Sequence, residues 1–165
     1  KIKGLDDSKN LSPEKREELY NIIVLSSISI GVGIVDNSVI DTINILQASY
    51  RAAQVAISSL SKEPDHLLVD GIRKIPKVSI PQTSIKYGDS ICSSIAAASI
   101  IAKVTRDTLM DNYDLVYPQY KFSNHKGYGT EEHIELLNEY GPTSIHRVTY
   151  EPVFKYLKSK GLLFI

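Results

Sequence analysis

The chain has 165 residues, 42% of them hydrophobic, which suits one domain with one core. Lysine plus arginine and aspartate plus glutamate number 19 each, so bulk charge does not carry nucleic-acid binding, although a local basic patch can. A single cysteine, Cys92, excludes an intrachain disulfide. With no signal peptide read in the sequence, it predicts a reducing, cytoplasmic setting. No apolar run approaches ~20 residues, so no membrane span is expected. No His/Cys spacing of the zinc kind is present.

Taken in order, residues 1–11 read as a loop with DDSKN at its centre. Ser12 followed by Pro13 is a helix start, and Leu19, Ile22 and Ile23 recur at helical spacing, predicting a helix over 12–25. The segment ISIGVGIV (28–35) alternates and predicts a strand, with Gly31 and Gly33 allowing close backbone approach. Residues 36–41 read as a polar turn, and 42–60 carry one apolar stripe and predict an amphipathic helix. HLLVDG (66–71) and QTSIK (82–86) predict short strands flanking a Pro-bearing loop. A helix of small and branched residues should run from there to about Met110. Residues 113–129 are aromatic and polar without periodicity. Thr130 caps a further helix that Gly141-Pro142 ends, and a last helix covers 151–159. This order predicts an α/β sheet covered by helices. So few strands suggest that an N-terminal piece is missing.

Several residues can carry chemistry, and each also has a plain structural reading. Asp70 ends a buried strand, where α/β proteins gather ligands; it can equally start a turn. Asp89 follows the next strand and is either a helix cap, with Ser90, or a second carboxylate beside Asp70. Two such carboxylates repel unless a cation lies between them, and Mg²⁺ suits one or two carboxylates with water and phosphate. Lys103 and Asp107 form an i,i+4 surface pair, or Lys103 and Arg106 hold phosphate with Asp107 in support. HKGYGT (125–130) sets Lys126, Gly127 and Tyr128 before a helix N-terminus, which favours phosphate and base stacking; the plain reading is a glycine turn with an anchored tyrosine. His125 reads as a loop hydrogen-bonder. Lys9 in DDSKN is either solvated or a phosphate contact.

Together these motifs resemble bacterial ribonuclease HII. They are GLDDSKNLS (4–12), INILQA (43–48), LLVDG (67–71), the Gly-Asp at 88–89, AASIIAKVTRD (97–107), YPQY (117–120), HKGYGT (125–130), His-Arg at 146–147 and EPV (151–153), in the family's order and across nearly the whole chain. The resemblance implies a ribonuclease H-like fold: a mixed central β-sheet flanked by helices, with a helical C-terminal part, in one domain over 1–165. It implies hydrolysis of the RNA strand of RNA/DNA hybrids and cutting 5′ of ribonucleotides embedded in duplex DNA. The products are a 3′-hydroxyl and a 5′-phosphate, and the protein is expected to act as a monomer.

Four acids of the family hold Mg²⁺ or Mn²⁺ for in-line attack by water. By motif, Asp70 is the third and Asp89 the fourth. The first two lie in an Asp-Glu-x-Gly-Arg-Gly segment on the first strand, as does the reader of the ribose 2′-hydroxyl. The chain is expected to lack those first strands, to bind divalent metal weakly and to cleave poorly. The alternative expectation is a catalytically dead remnant that binds hybrid or duplex. The resemblance gives Tyr128 the reading of the DNA–RNA junction and places phosphate contacts on Ser8 and Lys9. Tyr87 departs from the family, standing where it has lysine before Gly-Asp; Lys86, one place earlier, either makes the phosphate contact from there or that contact is lost.

Overall fold

The computed structural model describes residues 2–163. They form two compact units. One takes in the chain up to Ile34 together with Ser49–Thr105; the other takes in Val35–Ala48 and the chain from Arg106 onward.

The first unit is built on α1 (Pro13–Ser26) and the first half of a long helix. Ser12 caps α1 as its sequence predicts: its Oγ accepts the Lys15 N–H at 3.2 Å, and Pro13 occupies the first turn. Leu19 and Ile23 lie one turn apart on α1 and share a core with Ile100 and Ile101. Leu19 and Ile100 are wholly excluded from solvent. Burying each such side chain contributes about 1.5–3 kcal/mol, and this cluster is the unit's main hydrophobic stabilisation.

Segment 28–35 corrects the expected strand. It has no ladder partner among the described residues, and a strand exists only through one. The predicted role of its glycines does hold. A Cβ on Gly31 would lie 2.0 Å from the Ala56 carbonyl oxygen, and one on Gly33 would lie 1.8 Å from that of Ala52. The backbone therefore rests directly on the helix that follows.

That helix, α2 (Asn37–Ser58), begins five residues before the expected start. Asp36 is the reason: its Oδ1 accepts from Ser38 Oγ at 2.7 Å and from the Val39 N–H at 3.0 Å. The helix is then interrupted at Asn44, whose φ of 67° is left-handed. Asn44 restarts it by accepting the N–H groups of Leu46 and Gln47. The expected start at Thr42 matches neither the first start at Asn37 nor the restart after Asn44.

β1 (Leu67–Asp70) and β2 (Gln82–Ile85) pair in parallel, with Asp70 opposite Ile85. The Gln82 amide ties the intervening loop to the sheet by bonding both the N–H and the carbonyl of Ile75. The expected single helix after β2 is two. A one-turn α3 (Gly88–Ile91) precedes α4 (Ser93–Val116), with Cys92 extended between them. α4 also runs six residues beyond Met110. No helix among the described residues is long and apolar enough to cross a membrane.

The second unit has an aromatic core. Pro118–Tyr120 forms a 3₁₀ turn and Phe122–His125 a one-turn α5, joined by the left-handed Lys121. These short turns explain why 113–129 shows no periodicity. Tyr120 and Phe122 stack at 5.2 Å and are buried with Leu137 of α6 (Glu131–Tyr140) and Val153 of α7 (Glu151–Ser159). Thr130 caps α6 through the His133 N–H, as expected.

Candidate active site

The parallel pairing of β1 and β2 brings their C-terminal ends side by side, where α/β proteins place ligands. Asp70 ends β1 and is exposed. Its Oδ1 accepts the Gly88 N–H at 2.8 Å, so the carboxylate is tethered to the residue that precedes Asp89. Gly88 is buried, and a Cβ there would meet Ile95 Cδ1 at 2.4 Å and Asp70 Oδ1 at 3.3 Å. Glycine is thus the residue that lets this main chain reach the carboxylate.

Asp89 is not the cap of the helix. Tyr87 occupies the N-cap position in a left-handed conformation and gives no side-chain cap bond, so Asp89 falls inside the first turn of α3. The capping reading of Asp89 and Ser90 is corrected accordingly. The carboxylate stands half-buried in that first turn.

Two carboxylates at neighbouring strand ends offer hard oxygen donors, which fit Mg²⁺ or Mn²⁺ when water and phosphate complete the shell. A carboxylate that ligates through one oxygen keeps the other for an orienting bond such as that from Gly88. Among the described residues no group of three or more His, Cys, Asp or Glu side chains is assembled for a metal.

The remaining predicted residues of the first unit take separate places. Ser8 is buried and its hydroxyl pairs with Ser99 at 2.8 Å, so it anchors the loop to α4. Lys9 is exposed in the same loop, which Asp7 shapes by accepting the Lys9 N–H. Lys86 holds its ammonium 5.0 Å from the ring centre of exposed Tyr87. Lys103 is half-buried on α4.

In the second unit, Arg106, Lys126, Gly127, Tyr128 and His125 form one cluster. Arg106 donates from Nη2 to the Lys126 carbonyl at 2.7 Å and lays its guanidinium 4.3 Å from the Tyr128 ring centre. Asp107 stands 3.9 Å from the Arg106 guanidinium. Lys126 pairs with Asp111. Gly127 has a φ of 75°, and a Cβ there would touch Met110, so the turn needs glycine on both counts. Tyr128 nonetheless stays 56% exposed.

Sequence reasoning missed the three-histidine network beneath this loop. His125 is buried and bonds the Tyr120 carbonyl, and its Nδ1 accepts the Gly127 N–H. His133 stacks on His125 at 4.2 Å and meets His146 at 3.1 Å between their Nε2 atoms. Burial lowers the pKa of His133, and burial with the neighbouring His133 pushes His146 down to about 4. Asn37 and Asp41, one helical turn apart at the start of α2, hold the loop that carries His146. Asn37 donates to the carbonyls of Ser144 and His146, and Asp41 accepts from the backbone of Val148 and Thr149. Burial works to raise the Asp41 carboxyl, but the bonds from Thr149 and Val148 prevail and hold it below the usual carboxylate range. The available signal was the i,i+4 spacing of Asn37 and Asp41 inside a segment read as a turn.

Acids at and just beyond the ends of parallel strands, on an α/β frame, define a protein of the ribonuclease H-like class. The solved ribonuclease H2 of Pyrococcus horikoshii OT3 superposes with a TM-score of 0.77 at 26% identity, covering 94% of this chain and 81% of that one. The model of the ribonuclease HII family matches residues 1–153, and the chain belongs to that family. It is 52% identical to the ribonuclease HII of Geotalea daltonii over 96% of this chain and 73% of that protein. It is 54% identical to that of Acholeplasma laidlawii over 93% of this chain and 75% of that protein.

Proposed function

We propose that this protein is a divalent-metal-dependent endonuclease that hydrolyses the RNA strand of RNA/DNA hybrids. It also cuts 5′ of ribonucleotides embedded in duplex DNA, leaving a 3′-hydroxyl and a 5′-phosphate. The observation that carries this reading is the tethering of Asp70 to the Gly88-Asp89 step at the ends of two parallel strands in a ribonuclease HII chain.

Asp70 and Asp89 would hold Mg²⁺ or Mn²⁺. When bound, the cation would activate the attacking water and offset charge on the phosphate. The chain's own residues do the rest. Gly88 aims the Asp70 carboxylate. Lys9, Lys86, Lys103 and Arg106 place cations for the phosphate backbone, and Lys126 joins them on exchanging Asp111 for phosphate. Ser8 sets the position of Lys9. Tyr128 offers its exposed ring at the junction, with His125, Gly127 and Asp107 shaping the surroundings of that ring.

The test is incision of an end-labelled duplex with one ribonucleotide, in Mg²⁺ and in Mn²⁺, with product ends checked by polymerase extension. Expected is a single, slow cut on the 5′ side of the ribonucleotide. Tight binding of the duplex with no cut in either metal would overturn the catalytic reading and leave the binding-only alternative.

A further inference from the structure

The hydrogen bonds of the histidine network fix where each proton lies. The Thr143 N–H donates to His146 Nδ1 at 3.0 Å, so that nitrogen is bare and the proton is on Nε2. His146 Nε2 then donates to His133 Nε2 at 3.1 Å. His133 must therefore carry its proton on Nδ1, which faces the Tyr128 carbonyl at 2.9 Å. Every bond is satisfied in one direction, from the Thr143 turn to the backbone of Tyr128.

We propose that His146 and His133 form a directional relay that positions the Tyr128 loop for ribonucleotide recognition, His133 being the residue that sets it. The relay rests on the reading of Tyr128 as a nucleic-acid contact. An exposed aromatic ring ordinarily loses conformational freedom on binding, and a ring held in advance avoids that loss. Tyr128 is held on two sides. Arg106 backs its ring, and His133 grips its carbonyl, which also accepts the Thr130 N–H at 2.8 Å. Gly129 completes the fit: a Cβ there would lie 2.5 Å from the Tyr150 hydroxyl. Among the described residues the bonds of the buried histidines to candidate site residues all fall within this loop, so holding it is the role their geometry supports.

Two substitutions separate positioning from mere support. His133→Asn keeps a donor near the Nδ1 position and so keeps the bond to Tyr128. His133→Gln keeps a group near Nε2 and loses it. Amide hydrogen exchange at Tyr128 and Thr130 should quicken about fivefold in H133Q, the equivalent of one ordinary hydrogen bond, and stay near the parent in H133N. Preference for a one-ribonucleotide duplex over an all-DNA duplex, read by fluorescence anisotropy, should fall in H133Q by a similar factor and be retained in H133N. Equal exchange in the two variants overturns the relay. Separated exchange with equal preference overturns its part in recognition. A parent protein with no preference counts against the nucleic-acid reading of Tyr128 instead, while the exchange still decides the relay. Should neither variant fold, nitrogen NMR of the unaltered protein decides: a His133 proton on Nε2 is incompatible with the relay.

Discussion

Asp70 and Gly88 are joined by a 2.8 Å hydrogen bond in which the glycine N–H donates to the carboxylate. The bond is short in space and long in sequence, and it makes the aim of the acid depend on a residue with no side chain. Asp70→Asn keeps an oxygen that can accept the same N–H while removing the charge. Incision should fall at least ~100-fold, with duplex affinity within a fewfold of the parent. Gly88→Ala should lower incision by about tenfold or more with Asp70 intact, since the new methyl must displace Ile95 or the carboxylate. Normal turnover in Asp70→Asn removes that residue from the chemistry.

Arg106 and Lys103 separate recognition from general charge. Arg106→Lys keeps the charge but cannot both reach the Lys126 carbonyl and lie flat over Tyr128. It should lower the preference for ribonucleotide-bearing duplex about fivefold. Lys103→Ala should weaken both duplexes equally and flatten the salt dependence of binding. Identical salt slopes and preferences in the two variants contradict this division.

The buried histidines predict a loss of stability in mild acid. The folded His146 titrates at about 4, against an ordinary 6.5. Between those values the unfolded chain takes up a proton that the folded chain refuses. Stability is therefore full above about pH 6.5 and declines as pH falls toward 4, by on the order of 3 kcal/mol from this residue. His133 shifts the same way and adds to it. Asp41 is held low and stays ionised at pH 5, so a drop in denaturant midpoint between about pH 6.5 and 5 belongs to the histidines. A flat midpoint over that interval is the contrary result.

Tyr120 tests the aromatic core from another side. Its hydroxyl is buried without a hydrogen-bond partner among the described residues, and burial pushes its pKa up to about 12. Removing a lone buried hydroxyl while keeping the ring relieves a desolvation cost. Tyr120→Phe should leave stability unchanged or raise it by about 1 kcal/mol. Leu19→Ala, at a site with no solvent exposure, should instead cost about 2–5 kcal/mol. Calorimetry of the pair gives the contrast, and a destabilised Tyr120→Phe points to a bond that hydroxyl makes.

Much of this was legible in the residues. Ser12, Thr130 and the Gly141 stop are local signals, decided within one helical turn, and the structure keeps all three. The two strands were legible from their short runs of strand-forming residues, and their parallel pairing sets Asp70 against Gly88, the residue before Asp89. Part of what escaped depends on partners distant in sequence, and part on local polar contacts that apolar spacing does not show. Asn37 reaches across 109 residues to the His146 carbonyl, and no local pattern announces that. Asp36 and Asn44 start two helical runs inside what hydrophobic spacing presents as a turn and one helix, because polar capping outranks periodicity at helix ends. Cys92 breaks a helix that its neighbours' composition favours, and I-C-S-S contains no proline or glycine to signal it.

Segment 28–35 shows that an alternating sequence has two decodings. At Gly31 and Gly33 main chain meets main chain, so every second residue must be bare whether or not a neighbouring strand is hydrogen-bonded to the segment. The intervening Ile30, Val32 and Ile34 face outward and remain partly exposed. The glycines therefore specify a distance to a helix, while the branched residues between them specify a surface. Sequence drift at the two kinds of position should be unequal: interchange among branched residues at 30, 32 and 34, and near silence at 31 and 33.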